Sequence, residues 1–174
     1  MNSFEFFTPT KVIFGRGSIE NIGEEAKKLG KKGLVVTDKG MMKCGLAEKV
    51  ITYLEKENVD FLVWSEIVPN PRDVDIEKGA AYAMEQNIDY LIAVGGGSSM
   101  DTAKAVALGI PYNGDVWDFF DGTAAPETAL PVGAITTLPA SGSETSNCSI
   151  ISNRLLKMGF EDDMIIPIFA TMNP

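Results

Sequence analysis

The stretch VGGGSSMDTAK combines three consecutive glycines, Gly95, Gly96 and Gly97, with two hydroxyl side chains, Ser98 and Ser99. It follows an apolar strand and precedes a helix-forming segment, which places it at the carboxyl end of a strand, where α/β sheets bind ligands. Glycine lets the backbone approach a pyrophosphate, and the free amides of a helix start can donate hydrogen bonds to it. The stretch therefore predicts a phosphate-binding turn. The alternative is a tight strand-to-helix turn that holds no ligand.

The stretch departs from the usual dinucleotide-binding pattern in two respects. Met100 stands where that pattern has glycine or alanine, and the acids downstream, Asp115 and Asp118, fall in an irregular segment. Asp38, however, follows another buried strand and should project at the same sheet edge. A carboxylate there could accept hydrogen bonds from an adenosine ribose and repel a 2′-phosphate, or it could merely cap the turn that follows.

A second loop of small hydroxyl residues, TTLPASGSE, follows a later strand. Its side chains on Thr136, Thr137, Ser141 and Ser143 offer donors and acceptors without bulk. Such a loop alone is a weak signal, but two of them at one sheet edge favour a binding site there.

Four further side chains could contribute to such a site. Lys157 could counter a phosphate or reach a ribose, although a solvated lysine is the commoner outcome. The aromatic residues Trp117, Phe119 and Phe120 could wall a site, or they could pack their loop onto the core.

Composition narrows the possible chemistry. The chain has 174 residues, no histidine, and a net charge of −9 from 24 acidic and 15 basic side chains. The absence of histidine excludes a histidine base, a Ser–His–acid triad and histidine metal ligands. The acidic balance argues against nucleic acid or an anionic membrane as a partner. Cys44 and Cys148 have no metal or redox spacing and are expected to be reduced thiols.

The order of apolar segments predicts one α/β domain over residues 1–174, with a Rossmann-like parallel sheet and flanking helices. Strands are expected on both sides of residues 8–10 and at GLVVTD, DFLVW, DYLIAV, VGAITT, CSIIS and MIIPIFA, with NRLLK near the turn between the last two. Helices are expected from an N-cap at Ser18 to a stop at Gly30, from Leu46 to Glu57, from a cap at Asp73 to about Gln86, and over DTAKAVALG. A long, mostly irregular connection begins near Ile110. No apolar run reaches membrane-spanning length and no secretion signal is evident, so a cytoplasmic location is expected.

Five motifs occur in order: TKVIFGRGSIENIG, VTDKGMMKCGL, VPNPR, AVGGGSSMDTAKA and TLPASGSE. In this combination the chain resembles the amino-terminal domain of the iron-containing (group III) alcohol dehydrogenases. Its DVWDFF and LPASGSE segments are similar to those of butanol-dehydrogenase-like members. The resemblance implies a dehydroquinate-synthase-like α/β domain followed by an all-helical domain, with NAD or NADP in the cleft between them.

The resemblance also implies roles for individual residues. The pyrophosphate would be held by Gly95, Gly96, Gly97 and Ser98. Asp38 would contact the adenosine ribose and favour NAD over NADP, and Lys157 would reach the nicotinamide ribose. The remaining implied cofactor-binding residues are Asn70, Asp101, Thr137, Leu138 and Ser141.

In the family implied by the resemblance, one aspartate and three histidines of the helical domain bind Fe²⁺ or Zn²⁺, which polarises the oxygen of a small alcohol or aldehyde. This chain has no histidine. We therefore expect it to lack the helical metal domain and to be the cofactor-binding part of an alcohol dehydrogenase, inactive in isolation. Apolar surface left exposed where that domain would pack is expected to drive homo-oligomer formation.

Two other hypotheses remain open. The chain could be a non-catalytic nucleotide-binding module that works alone or joins a separate helical chain. Glycerol dehydrogenases and dehydroquinate synthases share the implied architecture, but LPASGSE and VPNPR fit the alcohol dehydrogenases better.

Overall fold

The computed structural model describes residue 3 and residues 7–174. Six parallel strands form the main sheet: β1 (Lys11–Phe14), β2 (Lys32–Val36), β3 (Asp60–Trp64), β4 (Tyr90–Gly95), β5 (Val132–Thr136) and β8 (Phe169–Met172). Their order across the sheet is β1-β8-β5-β4-β2-β3. A separate antiparallel pair is made by β6 (Cys148–Asn153) and β7 (Leu156–Glu161). The predicted parallel sheet is confirmed.

The helices are α1 (Ile22–Leu29), α2 (Lys39–Lys43), α3 (Leu46–Lys56), α4 (Asp73–Glu85), α5 (Gly97–Gly109) and α6 (Trp117–Phe120), with 3₁₀ turns at Ser18–Asn21 and Asp163–Ile165. In the part of the chain that the structure describes, no helix has the length and apolar character needed to cross a membrane.

Alternating side chains of the central strands pack against helices on the two sheet faces. On one face, Val35 and Ile92 belong to a core cluster completed by residues of α1 and α3, such as Val50. On the other face, Leu34 and Leu91 pack in a cluster with residues of α4 and α5. Every residue of β4 is buried, which is typical of a parallel strand covered on both sides.

The chain order places a switch point between β2 and β4. After β2 the chain runs through α2 and α3 to β3 at the sheet edge, and it returns through α4 to β4 on the other side of β2. The connection that follows β2 therefore leaves toward one face, and α5 leaves β4 toward the other. Between two such diverging connections an open α/β sheet has a crevice at its carboxyl edge.

Of three predicted helix boundaries, two are wrong and one is confirmed. Ser18 is not the N-cap of α1, because it begins the preceding 3₁₀ turn and its hydroxyl donates to Met172 O at 3.0 Å. Asp73 is the first residue of α4, not its cap, and the cap position is Arg72. Gly30 does end α1. The strand expected before residue 8 falls on residues 4–6, outside the described residues.

The last third of the chain differs most from the prediction. CSIIS forms β6, but its partner β7 is built from LKMGFE, and the turn is confined to the residues between them, with Arg154 at a φ of 52°. Only the end of MIIPIFA is strand, because Asp163–Ile165 forms a 3₁₀ turn and β8 begins at Phe169. The predicted turn at NRLLK is too long, because Leu156 and Lys157 already belong to β7.

The aromatic residues of the irregular connection pack inward. Trp117 and Phe120 stack with ring centroids 6.0 Å apart, and Phe119 lies 4.4 Å from Tyr112. Phe160 of β7 contacts both phenylalanines of this group. Phe119 also lines a small pocket with Pro111 and residues 125–128, well separated in sequence from the glycine turn. These contacts support the packing role of the aromatic cluster.

The contact between α4 and α5 depends on Gly79. A β-carbon at this position would lie 2.7 Å from the buried Trp64 ring and 3.0 Å from Val106. We expect Gly79→Ala to lower the free energy of unfolding by about 1–3 kcal/mol through overpacking, despite the better helix propensity of alanine. Urea denaturation followed by circular dichroism measures this, and a stabilised variant would contradict the packing described here.

Candidate functional site

A groove opens at the switch point between β2 and β4. We call it the switch-point groove. One side chain ties the two strand ends together, because Thr37 Oγ1 donates to Val94 O at 3.0 Å. The groove consists of two adjoining pockets that share Gly97 and Ser98. The first pocket is lined by Asp38, Lys39, Gly40, Ile67, Val68, Pro69, Gly96, Gly97, Ser98, Ser99 and Leu138. The second is lined by Asn70, Pro71, Gly97, Ser98, Asp101, Ala140, Ser141, Ile150 and Lys157.

The three glycines are required for different physical reasons. Gly95 has a φ of +148°, and a β-carbon there would collide with Ser99. A β-carbon at position 97 would lie 2.6 Å from Ser141 Oγ. Gly96 has an extended backbone (φ −93°, ψ −165°), and a β-carbon there would meet nothing within 4 Å. The backbone of the turn therefore explains Gly95, the close approach of the Ser141 side chain bears on Gly97, and neither explains Gly96.

Gly96 is also the N-cap residue of α5, and no side chain caps this helix start within the described chain. Serine, threonine, aspartate and asparagine are the usual choices at an N-cap, because their oxygens accept from the first amides of the helix. Glycine leaves those amides open toward the groove. The first turn of α5 carries no acidic side chain, so its partial positive charge is not neutralised there.

Asp38 caps α2 at one end of the groove. Its Oδ1 accepts hydrogen bonds from the amides of Gly40 at 2.7 Å and Met41 at 3.0 Å. The other oxygen, Oδ2, would lie 3.8 Å from a β-carbon at Gly95, so it lies beside the glycine turn. The capping role is thus present, and it still leaves an acceptor oxygen beside the groove. The neighbouring Lys39 is paired with Glu66 at 2.8 Å.

Asn70 and Lys157 meet at the other end of the groove although 87 positions separate them. Lys157 Nζ donates to Asn70 Oδ1 at 2.9 Å. Asn70 has a left-handed φ of 55°, a conformation that asparagine tolerates better than most residues. The same contact region is joined by backbone, since Ser152 N donates to Pro71 O at 2.8 Å. The β6–β7 hairpin is thereby attached to the turn that follows β3.

The loop after β5 contributes unequally to the groove. We call residues 137–147 the serine loop. Leu138 and Ser141 line the groove, as expected, and Leu138 is exposed. Thr137 instead lines a separate recess with residues of β1 and β8, including Phe14 and Met172. Thr137 nevertheless adjoins the glycine turn through its backbone, because Thr137 N donates to Gly95 O at 3.0 Å.

Asp101 lies on α5 at the floor of the groove. Its carboxylate accepts a hydrogen bond from Ser143 Oγ at 2.8 Å. Burial raises the pKa of Asp101 above its ordinary value, against the opposing effects of the Ser143 hydrogen bond and the charge of Lys104. This carboxylate is thus engaged within the protein, and its expected contact with a cofactor is less direct than that of the glycines.

Lys104 is a residue that sequence reasoning missed. It is fully buried one turn beyond Asp101, and its ammonium group lies within hydrogen-bond distance of five oxygens of residues 143–148. Burial lowers the pKa of Lys104 to about 8, against the attraction of Asp101. Only its position in an otherwise small and apolar helical run, DTAKAVALG, could have signalled this burial.

The sequence profile described as iron-containing alcohol dehydrogenase matches residues 9–174. The chain belongs to the iron-containing alcohol dehydrogenase family. This finding confirms the predicted family, and the groove lies in the part of the family's sequence that the chain represents.

Individual relatives support the same assignment. The chain is 42% identical to the probable NADH-dependent butanol dehydrogenase 1 of Bacillus subtilis, with 100% of this chain and 46% of that protein covered. It is 32% identical to the NADPH-dependent aldehyde reductase YqhD of Escherichia coli, with 100% and 46% covered. The crystal structure of NADH-dependent butanol dehydrogenase A from Thermotoga maritima superimposes with a TM-score of 0.93 at 35% identity, covering 100% of this chain and 45% of that one. The predicted Rossmann-like fold is confirmed, and the chain spans less than half the length of these relatives.

The family name implies a metal ion, but the described residues do not fit one. Within residues 7–174 no group of three or more His, Cys, Asp or Glu side chains could hold an ion, and the full sequence contains no histidine. Ligands for iron therefore have no counterpart among these residues.

The contrast between Gly95 and Gly96 predicts two opposite effects on stability. Gly95→Ala should lower the free energy of unfolding by about 1–3 kcal/mol, because alanine is strained at a φ of +148°. Gly96→Ser should leave it unchanged or raise it, since serine fits an extended N-cap and can bond the open amides. Parallel urea denaturation of both variants measures the difference. Equal destabilisation by the two would show that the fold itself needs Gly96.

Proposed function

We propose that this chain binds NADH in the switch-point groove and is the cofactor-binding part of an oxidoreductase that acts on a small alcohol or aldehyde. The observation that carries the proposal is Gly96. It is a residue that the fold does not need, at the start of a helix whose first amides no side chain caps. A pyrophosphate lying against that backbone accounts for the missing side chain.

The arrangement around α5 suits a bound diphosphate. The amides of Gly97 and Ser98 begin a helix of 13 residues, which is long enough for a full terminal dipole. Both residues line both pockets of the groove. The diphosphate would lie at this shared position, with the two nucleoside halves extending in opposite directions.

The adenosine half would lie toward Asp38. Its Oδ2 is available to accept from a ribose hydroxyl, since the α2 cap engages Oδ1. Glu66 and Lys39 neutralise each other nearby, so Asp38 leaves a net negative charge at this end. That charge favours the free ribose of NADH and opposes the 2′-phosphate of NADPH.

The nicotinamide half would lie toward Asn70 and Lys157. The ammonium group of Lys157 is held by Asn70 at 2.9 Å, at the edge of the pocket that also contains Ser141. A ribose hydroxyl could accept from the same ammonium group. The bound nicotinamide supplies hydride transfer, while this chain binds and orients it. The cytoplasmic location and self-association expected from sequence stay predictions.

Gly96→Ser should weaken NADH binding without loss of stability. The new side chain would occupy the surface where the diphosphate lies and would compete for the amides of α5. We expect the dissociation constant to rise at least about tenfold, equivalent to about 1.4 kcal/mol, in isothermal titration calorimetry. Gly159→Ser, at an exposed glycine that lines neither pocket and where a β-carbon would make only ordinary contacts, serves as the matched control. Unchanged affinity in Gly96→Ser would contradict the proposed site.

Asp38→Asn should relax the choice between NADH and NADPH. Asparagine keeps the capping oxygen for Gly40 and Met41 but removes the charge. We expect the ratio of the NADPH to the NADH dissociation constant to fall at least about tenfold relative to the wild type, because a like-charge contact with the 2′-phosphate is removed. Titration of both variants with both nucleotides tests this. A wild-type preference for NADPH, or an equal change for both nucleotides, would contradict the role given to Asp38.

A further inference from the structure

Lys104 is the most deeply buried charge in the described chain that the proposed function does not use. Its side chain is 0% exposed. Its Nζ donates to the carbonyl oxygens of Ser143 at 2.7 Å, Ser146 at 2.8 Å and Cys148 at 2.9 Å. An ammonium group has three N–H donors, so the three carbonyls use all of them.

Burying this ammonium group costs free energy that an apolar residue at the same position would not cost. Removing an ammonium group from water carries a penalty of several kcal/mol, and the other buried residues of DTAKAVALG are uncharged and, apart from Thr102, apolar. A methionine would pack there without that penalty. What a methionine could not do is supply donors to three backbone carbonyls of a segment that lies outside the two sheets until β6 begins.

The carbonyl groups belong to the segment that forms one wall of the switch-point groove. Ser143 and Ser146 are in the serine loop, and Cys148 is the first residue of β6. Ser143 also donates to Asp101 Oδ1 at 2.8 Å, so its hydroxyl links the carboxylate and the ammonium group. Two residues earlier, Ser141 lies against Gly97 closely enough to exclude a β-carbon there. Lys104 therefore bonds the same loop that contacts the start of α5 through Ser141.

We propose that Lys104 is a positioning residue for nucleotide binding, which holds the serine loop against α5 so that the groove is formed before the nucleotide arrives. The inference rests on the proposed function for its ligand. The claim that Lys104 orders the serine loop in the free chain does not depend on NADH. Preorganised loops raise affinity because binding does not have to order them.

The charge state of Lys104 offers a readout that packing alone would not produce. The charged or titratable groups that act on it are Asp101, Glu144 and Cys148, and its pKa is lowered to about 8 by burial. Above that pH the neutral amine has two donors for three carbonyls. Burial raises the pKa of the Cys148 thiol, so this group titrates at higher pH than a free cysteine. NADH affinity should therefore fall between pH 7 and pH 9.5 in the wild type.

Lys104→Met is the principal test, with two control variants in the full chain. Lys49→Met removes an exposed lysine on α3. Val50→Ala leaves a cavity under α3, on the sheet face opposite α5, and so lowers stability without touching the serine loop. Amide hydrogen exchange of residues 137–147 and NADH titration calorimetry are measured on each variant, after circular dichroism confirms that it is folded.

We expect Lys104→Met to lose exchange protection in the serine loop while β2 and β4 stay protected. We also expect it to bind NADH at least about tenfold more weakly and to lose the decline in affinity above pH 8. Neither control should change loop protection or affinity. If Lys104→Met does not fold, Ser143→Ala and the wild-type pH series test the positioning role instead. The role then requires faster amide exchange in the serine loop of Ser143→Ala and a fall in the NADH affinity of the wild type above pH 8.

The failures are distinguishable. If the wild type binds no NADH, the proposed function is wrong, and loop exchange still decides whether Lys104 orders the loop. If the wild type binds but Lys104→Met keeps its loop protection or its affinity, the positioning role is wrong. An affinity loss shared by Val50→Ala would also overturn it, because the cause would then be general destabilisation.

Discussion

The uncapped backbone amides at the start of α5 are the feature on which the rest of the site depends. The connections that follow β2 and β4 run to opposite faces of the sheet, and a crevice opens between them where α5 begins. The amides at the start of α5 are therefore open to a ligand. A side chain at Gly96 could have capped them, and the space for one exists. In the proposed function, its absence exchanges a modest local stabilisation for an anion-binding surface. Gly95 is needed by the backbone of the turn and Gly97 lies against Ser141, so only Gly96 is left for the proposed ligand to explain.

A second constraint concerns the loop opposite those amides. A loop of small hydroxyl residues buries little apolar surface of its own. Its order therefore depends on hydrogen bonds and on the elements that it contacts. Here a buried cation adds three bonds to those that the loop makes within itself and to neighbouring elements, such as Thr145 N to Gly142 O at 3.1 Å. Its penalty of burial is offset by three carbonyl acceptors and by the nearby carboxylate of Asp101. The two walls of the groove are thus joined through two side chains of α5, Lys104 and Asp101, which both bond Ser143.

The parts of the fold predicted well are those with a strong local signal. Strands such as DFLVW and DYLIAV are continuous apolar runs, and they occur as β3 and β4. The glycine turn and Asp38 could be placed at one sheet edge because parallel strands end together. LKMGFE does alternate apolar and polar or small residues, but the prediction placed its first residues in a turn, because Arg154 carries no sequence mark of the left-handed backbone that ends the preceding strand.

The site shows the same division. Asn70 and Lys157 could be named from the family resemblance, but nothing local shows that they touch across 87 positions. Ser18 is a residue type that often caps helices, yet its hydroxyl donates a hydrogen bond to Met172 O, which is far away in sequence. Lys104 could not be recognised, because burial of a lysine depends on acceptors that only the folded loop provides. Local pattern thus predicts the elements and their ends, while the pairing of polar groups between elements requires the tertiary structure.

A crystal structure of the chain with NADH is the most direct test of the nucleotide site. We expect diphosphate oxygens within about 3 Å of the amides of Gly97 and Ser98, with the adenosine ribose against Asp38 and no atom of the protein between Gly96 and the ligand. A nucleotide bound elsewhere, or one whose diphosphate lies away from the start of α5, would contradict the proposal.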